Sequence, residues 1–339
     1  ERLMTGLSGD RVSPDGDAGD RVTSDGDAGE LVTSDGDNRP SRWRGILPSL
    51  PTPFTAGDMI DHEALAAVVE LAVCHGAAGV VCLGLSGEVE TLSAPEREEI
   101  VRTVVKSAAG KVPVLAGATA ESLRGSASLA RAFEVAGASA IVLMPPSRMG
   151  LSAGELRDFF TSVAATTDLP VIVQDAPEYL DSALSPEIVA AAAERAPTIC
   201  GAKLEHGPEE LQRWIRALPD GFAVFSGNGG LHLLDSLDVG ATGVMPAADL
   251  TDVLVEIYRA WAEERPDEAN ERFARVLAML AYEMQSMPHS NRCAKYVLRR
   301  RGVPLQTMLR APATPSLEPA AVARLERHLE RVLHLQVTV

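Results

Sequence analysis

The sequence predicts an α/β protein built as a (β/α)8 TIM barrel, followed by a C-terminal three-helix appendage. Three observations carry this reading. Eight short apolar runs recur from Arg44 onward, stretches with helical periodicity separate them, and no G-x-G-x-x-G follows the first run. Nearly continuous apolar runs are what strands buried on both faces look like, as in a parallel sheet covered by helices. Eight near-equal units fit a closed barrel better than an open doubly wound sheet, whose first turn would carry the missing glycines.

Residues 1–41 come first and stand apart. A ten-residue repeat, GDRVSPDGDA, GDRVTSDGDA, GELVTSDGDN, fills 9–38. Each unit has too few apolar residues to bury a face by stacking. Asp and Gly dominate, so conformational entropy predicts a disordered acidic tail. The DGDAGD clusters lack the ligand order and closing Glu of a calcium loop. The barrel is expected over 42–264, with strands at 45–50, 79–83, 112–116, 140–144, 171–173, 199–202, 222–225 and 242–245. Helical stretches at 61–77, 93–108 and 152–167 lie between them. Asp61, Ser93, Ser152 and Ser185 stand at N-cap positions, with Pro95 and Pro186 in first turns. After an eighth helix at 250–264, the region 265–339 holds three more, at 267–284, 290–301 and 318–333. These exceed what a barrel needs and suit a covered flank or oligomer contacts.

Composition narrows the function. The chain of 339 residues is 46% apolar and 23% charged, enough for a large core. A net charge of −16 disfavours nucleic acid or an acidic membrane as partner. No apolar run reaches the roughly 18 residues of a membrane span, and the first thirty residues lack a signal-peptide core. Cys74, Cys82, Cys200 and Cys293 are scattered without metal-binding spacing, as expected of free thiols in a reduced cytoplasm. No metal or organic cofactor is signalled.

Barrel chemistry sits where strands end. Lys203, in TICGAKLEHG, is an amine at the end of an otherwise uncharged strand. Burial disfavours the charged form of an amine and leaves a neutral nucleophile toward carbonyls. Position alone leaves two readings open: a nucleophile, or a lysine paired with Glu205, Asp175 or Glu88. The strand-two loop, Gly84-Leu85-Ser86-Gly87-Glu88, could anchor a carboxylate through backbone amides freed by its glycines and through the Ser86 hydroxyl. A plain strand-to-helix turn explains the same glycines.

Together these stretches resemble the dihydrodipicolinate synthase / N-acetylneuraminate lyase family, the Schiff-base 2-oxo-acid aldolase barrels. The matching motifs are Pro51-Thr52-Pro53-Phe54, GDMID (57–61), GLSGEVETLSAPERE (84–98), GAK (201–203), SGN (226–228) and RAPATP (310–315). The resemblance runs from Arg44 to the C-terminus. It implies Lys203 as the Schiff-base lysine, a homo-oligomer (dimer or tetramer), a small 2-oxo acid as substrate and an aldehyde as second partner.

The departures bear on mechanism. The resemblance implies two adjacent hydroxyl residues where this chain has Leu85 and Ser86. It implies a proton-shuttling tyrosine at the end of strand five, where this chain has Gln174-Asp175-Ala176-Pro177. Gln cannot ionise, so it can orient an oxygen but not carry a proton. A second tyrosine is replaced by Pro146-Ser147, and the synthase arginine falls near Tyr179. The lysine-pathway synthase reaction is therefore not expected.

The expected activity is a Schiff-base carbon–carbon or carbon–oxygen lyase on a pyruvate-type 2-oxo acid. Its substrate would be a sugar-acid-like or an aromatic aldol. Lys203 and Gln174 are the catalytic candidates, and Ser86, Leu85, Gly87, Gly227 and Asn228 the substrate-binding ones. Asp175, Glu88, His206 and Tyr179 are candidates to carry protons in place of the tyrosine. The alternative is a catalytically impaired member that binds a small acid or a protein.

Overall fold

Strand ladders pair the apolar runs in register, one unit after the next. A computed structural model describes residues 40–179, 184–314 and 316–333. The acidic repeat lies outside the described residues. The strands are β1 (Gly45–Ile46), β2 (Val80–Cys82), β3 (Val114–Gly117), β4 (Ala140–Leu143), β5 (Val171–Asp175), β6 (Ile199–Leu204), β7 (Ala223–Ser226) and β8 (Gly243–Val244). Their hydrogen-bonded order is β1-β8-β7-β6-β5-β4-β3-β2, all parallel. The two ends of that order meet. Ser49 bridges both Val81 and Ala247, and the Leu50 amide donates to the Val81 carbonyl at 2.8 Å. The sheet therefore closes into the expected (β/α)8 barrel. At the β1–β8 seam a Cβ on Gly243 would overlap the Gly45 carbonyl, so only glycine allows that approach.

Around the barrel lie α1 (His62–Cys74), α2 (Ala94–Ala108), α3 (Leu123–Val135), α4 (Ala153–Ala164), α5 (Pro186–Arg195), α6 (Pro208–Ala217), α7 (Leu233–Asp238) and α8 (Thr251–Ala262). The C-terminal region adds α9 (Pro266–Glu283), α10 (Met287–Arg300) and α11 (Pro319–Leu333). The caps act as their residue types require. Asp61 accepts from the Ala64 amide at 3.0 Å, and Ser93 and Ser152 form reciprocal capping boxes with Glu96 and Glu155. Ser185 occupies its N-cap position without a side-chain cap bond.

Alternation along the strands divides the core. Leu47, Val81, Leu115, Val142, Ile172 and Phe225 fill the barrel interior, with Trp43 in the same cluster. The opposite strand faces pack on the surrounding helices, and a further cluster joins α7 and α8 to α9, α10 and α11. Strands five and six run past their expected ends because Gln174 pairs with Lys203 and Asp175 with Leu204. Polar residues end an apolar run in sequence, but not the backbone ladder.

All four cysteines are free; burial pushes the Cys82 thiol up to about 12 and Cys200 up to about 11, leaving both unreactive. Among the described residues, no helix is long and apolar enough to cross a membrane.

Candidate active site

The alternation that buries Ile172 also turns Gln174 into the barrel, and it turns Lys203 on β6 and Glu205, the residue just past that strand, the same way. Lys203 is 6% exposed, Gln174 1% and Glu205 8%, so a polar layer caps an apolar interior. Glu205 is its centre. Its Oε1 lies 3.1 Å from Lys203 Nζ and accepts from Gln174 Nε2 at 3.1 Å. Its Oε2 accepts the Asn228 amide. Gly227 provides the room, because a Cβ there would overlap the Glu205 carboxylate. Gly227 and Asn228 thus meet the site through Glu205.

Sequence reasoning had Glu205 only as a neutralising partner. The available signal was periodicity: residue 205 shares a strand face with 203.

A small chamber of about 20 Å3 lies beside the amine, bounded by Leu85, Ser86, Lys203, Glu205, Gly229 and Met284 among others. That is room for a single water. Leu85 and Met287 also border a second, larger cavity.

The strand-two loop supplies Leu85 and Ser86 to the chamber through a tight turn at Leu85–Gly87. The Ser86 hydroxyl makes no hydrogen bond among the described residues and faces this chamber's wall. Gly87 differs from expectation. Its amide donates to the Gly84 carbonyl at 2.9 Å and its carbonyl accepts from Thr52 Oγ1 at 2.7 Å, so the turn itself consumes it.

Leu83 and Glu88, at φ 60° and 55°, hold left-handed conformations costly for non-glycine residues. Glu88 is fixed there by Lys295 Nζ at 2.5 Å and by the Arg310 amide at 2.9 Å. Lys295, fully buried, also donates to the Met308 carbonyl at 3.0 Å and lies 4.6 Å from the Phe54 ring centroid. Burial lowers its pKa, and the Glu88 carboxylate opposes that shift. This second buried amine was not foreseen, and it borders neither cavity.

The other proton-carrier candidates lie elsewhere. Asp175 accepts the Leu184 amide at 3.2 Å and meets His206 Nε2 at 2.7 Å, while His206 packs near Trp214. Tyr179 borders the larger cavity, and burial together with the Glu205 and Glu178 charges raises its pKa. Ser147 donates to Glu121 at 2.7 Å. Arg310 donates to Asp58 and the Thr91 carbonyl and pairs with Glu96 at 2.9 Å, joining three motifs far apart in sequence.

Comparison with known proteins agrees with this architecture. Residues 42–331 match the dihydrodipicolinate synthetase family. The chain is 35% identical over 240 residues to 4-hydroxy-tetrahydrodipicolinate synthase of Methanopyrus kandleri, covering 69% of this chain and 79% of that one. It is 28% identical over 290 residues to L-2-keto-3-deoxyarabonate dehydratase of Azospirillum brasilense, covering 84% and 93%. Among solved structures it matches YagE, a prophage protein from E. coli K12 in complex with pyruvate, at TM-score 0.81 and 26% identity over 86% and 98% of the two chains.

Proposed function

The chain belongs to the dihydrodipicolinate synthetase family, and from that premise we propose that it is a Schiff-base lyase or aldolase acting on a pyruvate-type 2-oxo acid through Lys203. One observation carries the reading: a buried amine inside the barrel mouth, 3.1 Å from a carboxylate and beside a chamber. The neutral amine adds to C2 of the 2-oxo acid to give a carbinolamine. Loss of its hydroxyl as water leaves an iminium, the electron sink for making or breaking the next bond.

Both steps need a proton carrier within hydrogen-bond reach of the nitrogen. Glu205 has that reach, whereas Glu88, Asp175 and His206 are engaged elsewhere. Glu205 takes a proton from the Lys203 ammonium and returns it to the departing hydroxyl. Gln174 holds the carboxylate by one oxygen, and the Asn228 amide by the other. Ser86 offers its hydroxyl to the substrate carboxylate. Pyruvate is larger than the chamber, so its binding moves the Glu205 carboxylate or the Met284 and Met287 thioethers, side chains flexible enough to yield. The lysine-pathway synthase reaction is disfavoured by Gln174, Ser147 and Tyr179.

The test is reductive trapping. Sodium borohydride with pyruvate should add a stable mass to Lys203 and none to Lys203→Ala. No adduct with any 2-oxo acid overturns the reading. An adduct without turnover on a broad aldol panel supports the impaired, small-acid-binding alternative instead.

A further inference from the structure

The cavity beside the Lys203 chamber measures about 290 Å3. Six of its wall residues are Leu85, Tyr179, Met287, Pro288, Leu309 and Ala313, an apolar set. Several polar groups on that wall are already engaged, while Asn291 Oδ1 is buried without a partner among the described residues. The Thr91 hydroxyl donates to the Glu88 carbonyl at 2.9 Å, and Asn291 Nδ2 donates to the Leu85 carbonyl at 3.2 Å. The Glu88 carboxylate holds Lys295 and the Arg310 amide. Glu90 adds a further negative charge, and among the described residues Lys203 is the only Lys or Arg bordering either cavity.

These facts select an occupant. A second anionic group would meet like charge with no counter-ion. A polyol could pair one hydroxyl with Asn291 Oδ1, but its others would face Leu85, Met287 and Leu309 unpaired, at a cost that grows with each one. An apolar group gains by leaving water, and an aromatic ring fits, since cavities of about 150 Å3 hold benzene.

We propose that this cavity receives an uncharged apolar group, aryl or branched alkyl, carried by an aldehyde partner in the Lys203 reaction. The proposal rests on the Schiff-base reading above. In the addition direction, the Glu205 carboxylate takes a proton from C3 of the iminium formed from pyruvate and Lys203, and C3 of the resulting enamine attacks the aldehyde carbon. A carbon–carbon bond forms, the carbonyl π pair moves onto oxygen, and that oxygen takes the proton held by Glu205. Water then hydrolyses the iminium, releasing a 4-hydroxy-2-oxo acid and the free amine. Leu85, standing where the family resemblance implies a hydroxyl residue, forms the apolar wall common to both compartments.

The experiment compares initial rates with pyruvate and benzaldehyde, glyceraldehyde or succinic semialdehyde, with borohydride trapping run in parallel. Benzaldehyde should exceed the other two in kcat/KM by about tenfold or more, and Leu85→Thr should erode that preference. Equal or inverted preference in an enzyme that forms the pyruvate adduct overturns the proposal and leaves the Schiff-base reading standing. Without an adduct the Schiff-base reading fails, and the aldehyde role fails with it. Where no adduct or no turnover is seen, ligand-observed NMR with benzyl alcohol decides the cavity itself. Binding that Leu85→Thr weakens supports an apolar occupant, and no binding overturns it.

Discussion

A carboxylate two residues from a lysine on one strand face can neutralise the amine or accept its proton, and Glu205 is placed for both. The two roles separate in a variant that keeps shape and removes charge. Glu205→Gln preserves the side-chain volume and an oxygen for the Asn228 amide. If Glu205 served only as a counter-ion, its loss would favour the neutral amine and speed adduct formation. If it moves protons, its loss slows carbinolamine dehydration. We expect the rate of borohydride-trappable adduct formation to fall by about 10²–10⁴-fold. A rate equal to or above wild type sinks the proton-carrier role.

At the level of single elements, helix ends concentrate the unusual charges. Glu283 closes α9 and Asp249 lies just before α8; both are buried and share a hydrogen bond. Burial raises both carboxyl pKa values, Glu283 well above its usual range; the Asp249 charge and the shared hydrogen bond raise Glu283 further, whereas that bond and the nearby Arg301 hold Asp249 back. A negative charge at a helix C-terminus is also unfavourable, so a protonated Glu283 suits its place. Between the ordinary carboxylate value and the raised one, the native state binds more protons than the unfolded chain. Stability is therefore full at low pH and falls as pH rises through that window. Glu283→Gln mimics the protonated acid, and its Tm should exceed wild type near about pH 8 and converge with it near about pH 5. A gap that widens toward acid contradicts this. Such pairs mark the limit of sequence reading. Caps at Asp61, Ser93 and Ser152, eight apolar runs and the amine at 203 were legible because each is a local pattern. Glu205 required trusting strand alternation past the point where apolar residues stop. Glu283 with Asp249, and Lys295 with Glu88, required contacts across 34 and 207 positions, which no local pattern records.

Across the whole molecule, the C-terminal helices do more than cover a flank. Lys295 on α10 and Arg310 beyond it reach over the barrel mouth and grip the loop that presents Leu85 and Ser86. That loop carries two left-handed non-glycine residues, Leu83 and Glu88, a conformation the surroundings must enforce. The Glu88–Lys295 pair is therefore both a tertiary tie and a loop restraint. Removing one partner leaves the other charge buried, so Lys295→Met should cost about 3–5 kcal/mol in urea unfolding. Glu88→Gln should cost less than this, because the amide still hydrogen-bonds. The double variant Lys295→Met, Glu88→Met replaces an ion pair by apolar volume and should recover most of the lost stability. The loop restraint is a separate quantity with a separate outcome. Even with stability recovered, the double variant no longer holds residue 88 through the Arg310 amide, so Ser86 loses its fixed position and pyruvate trapping at Lys203 should remain slow. If stability and trapping rate recover together, the C-terminal region stabilises the barrel without positioning the site; if stability alone recovers, the helical appendage is part of the active-site architecture.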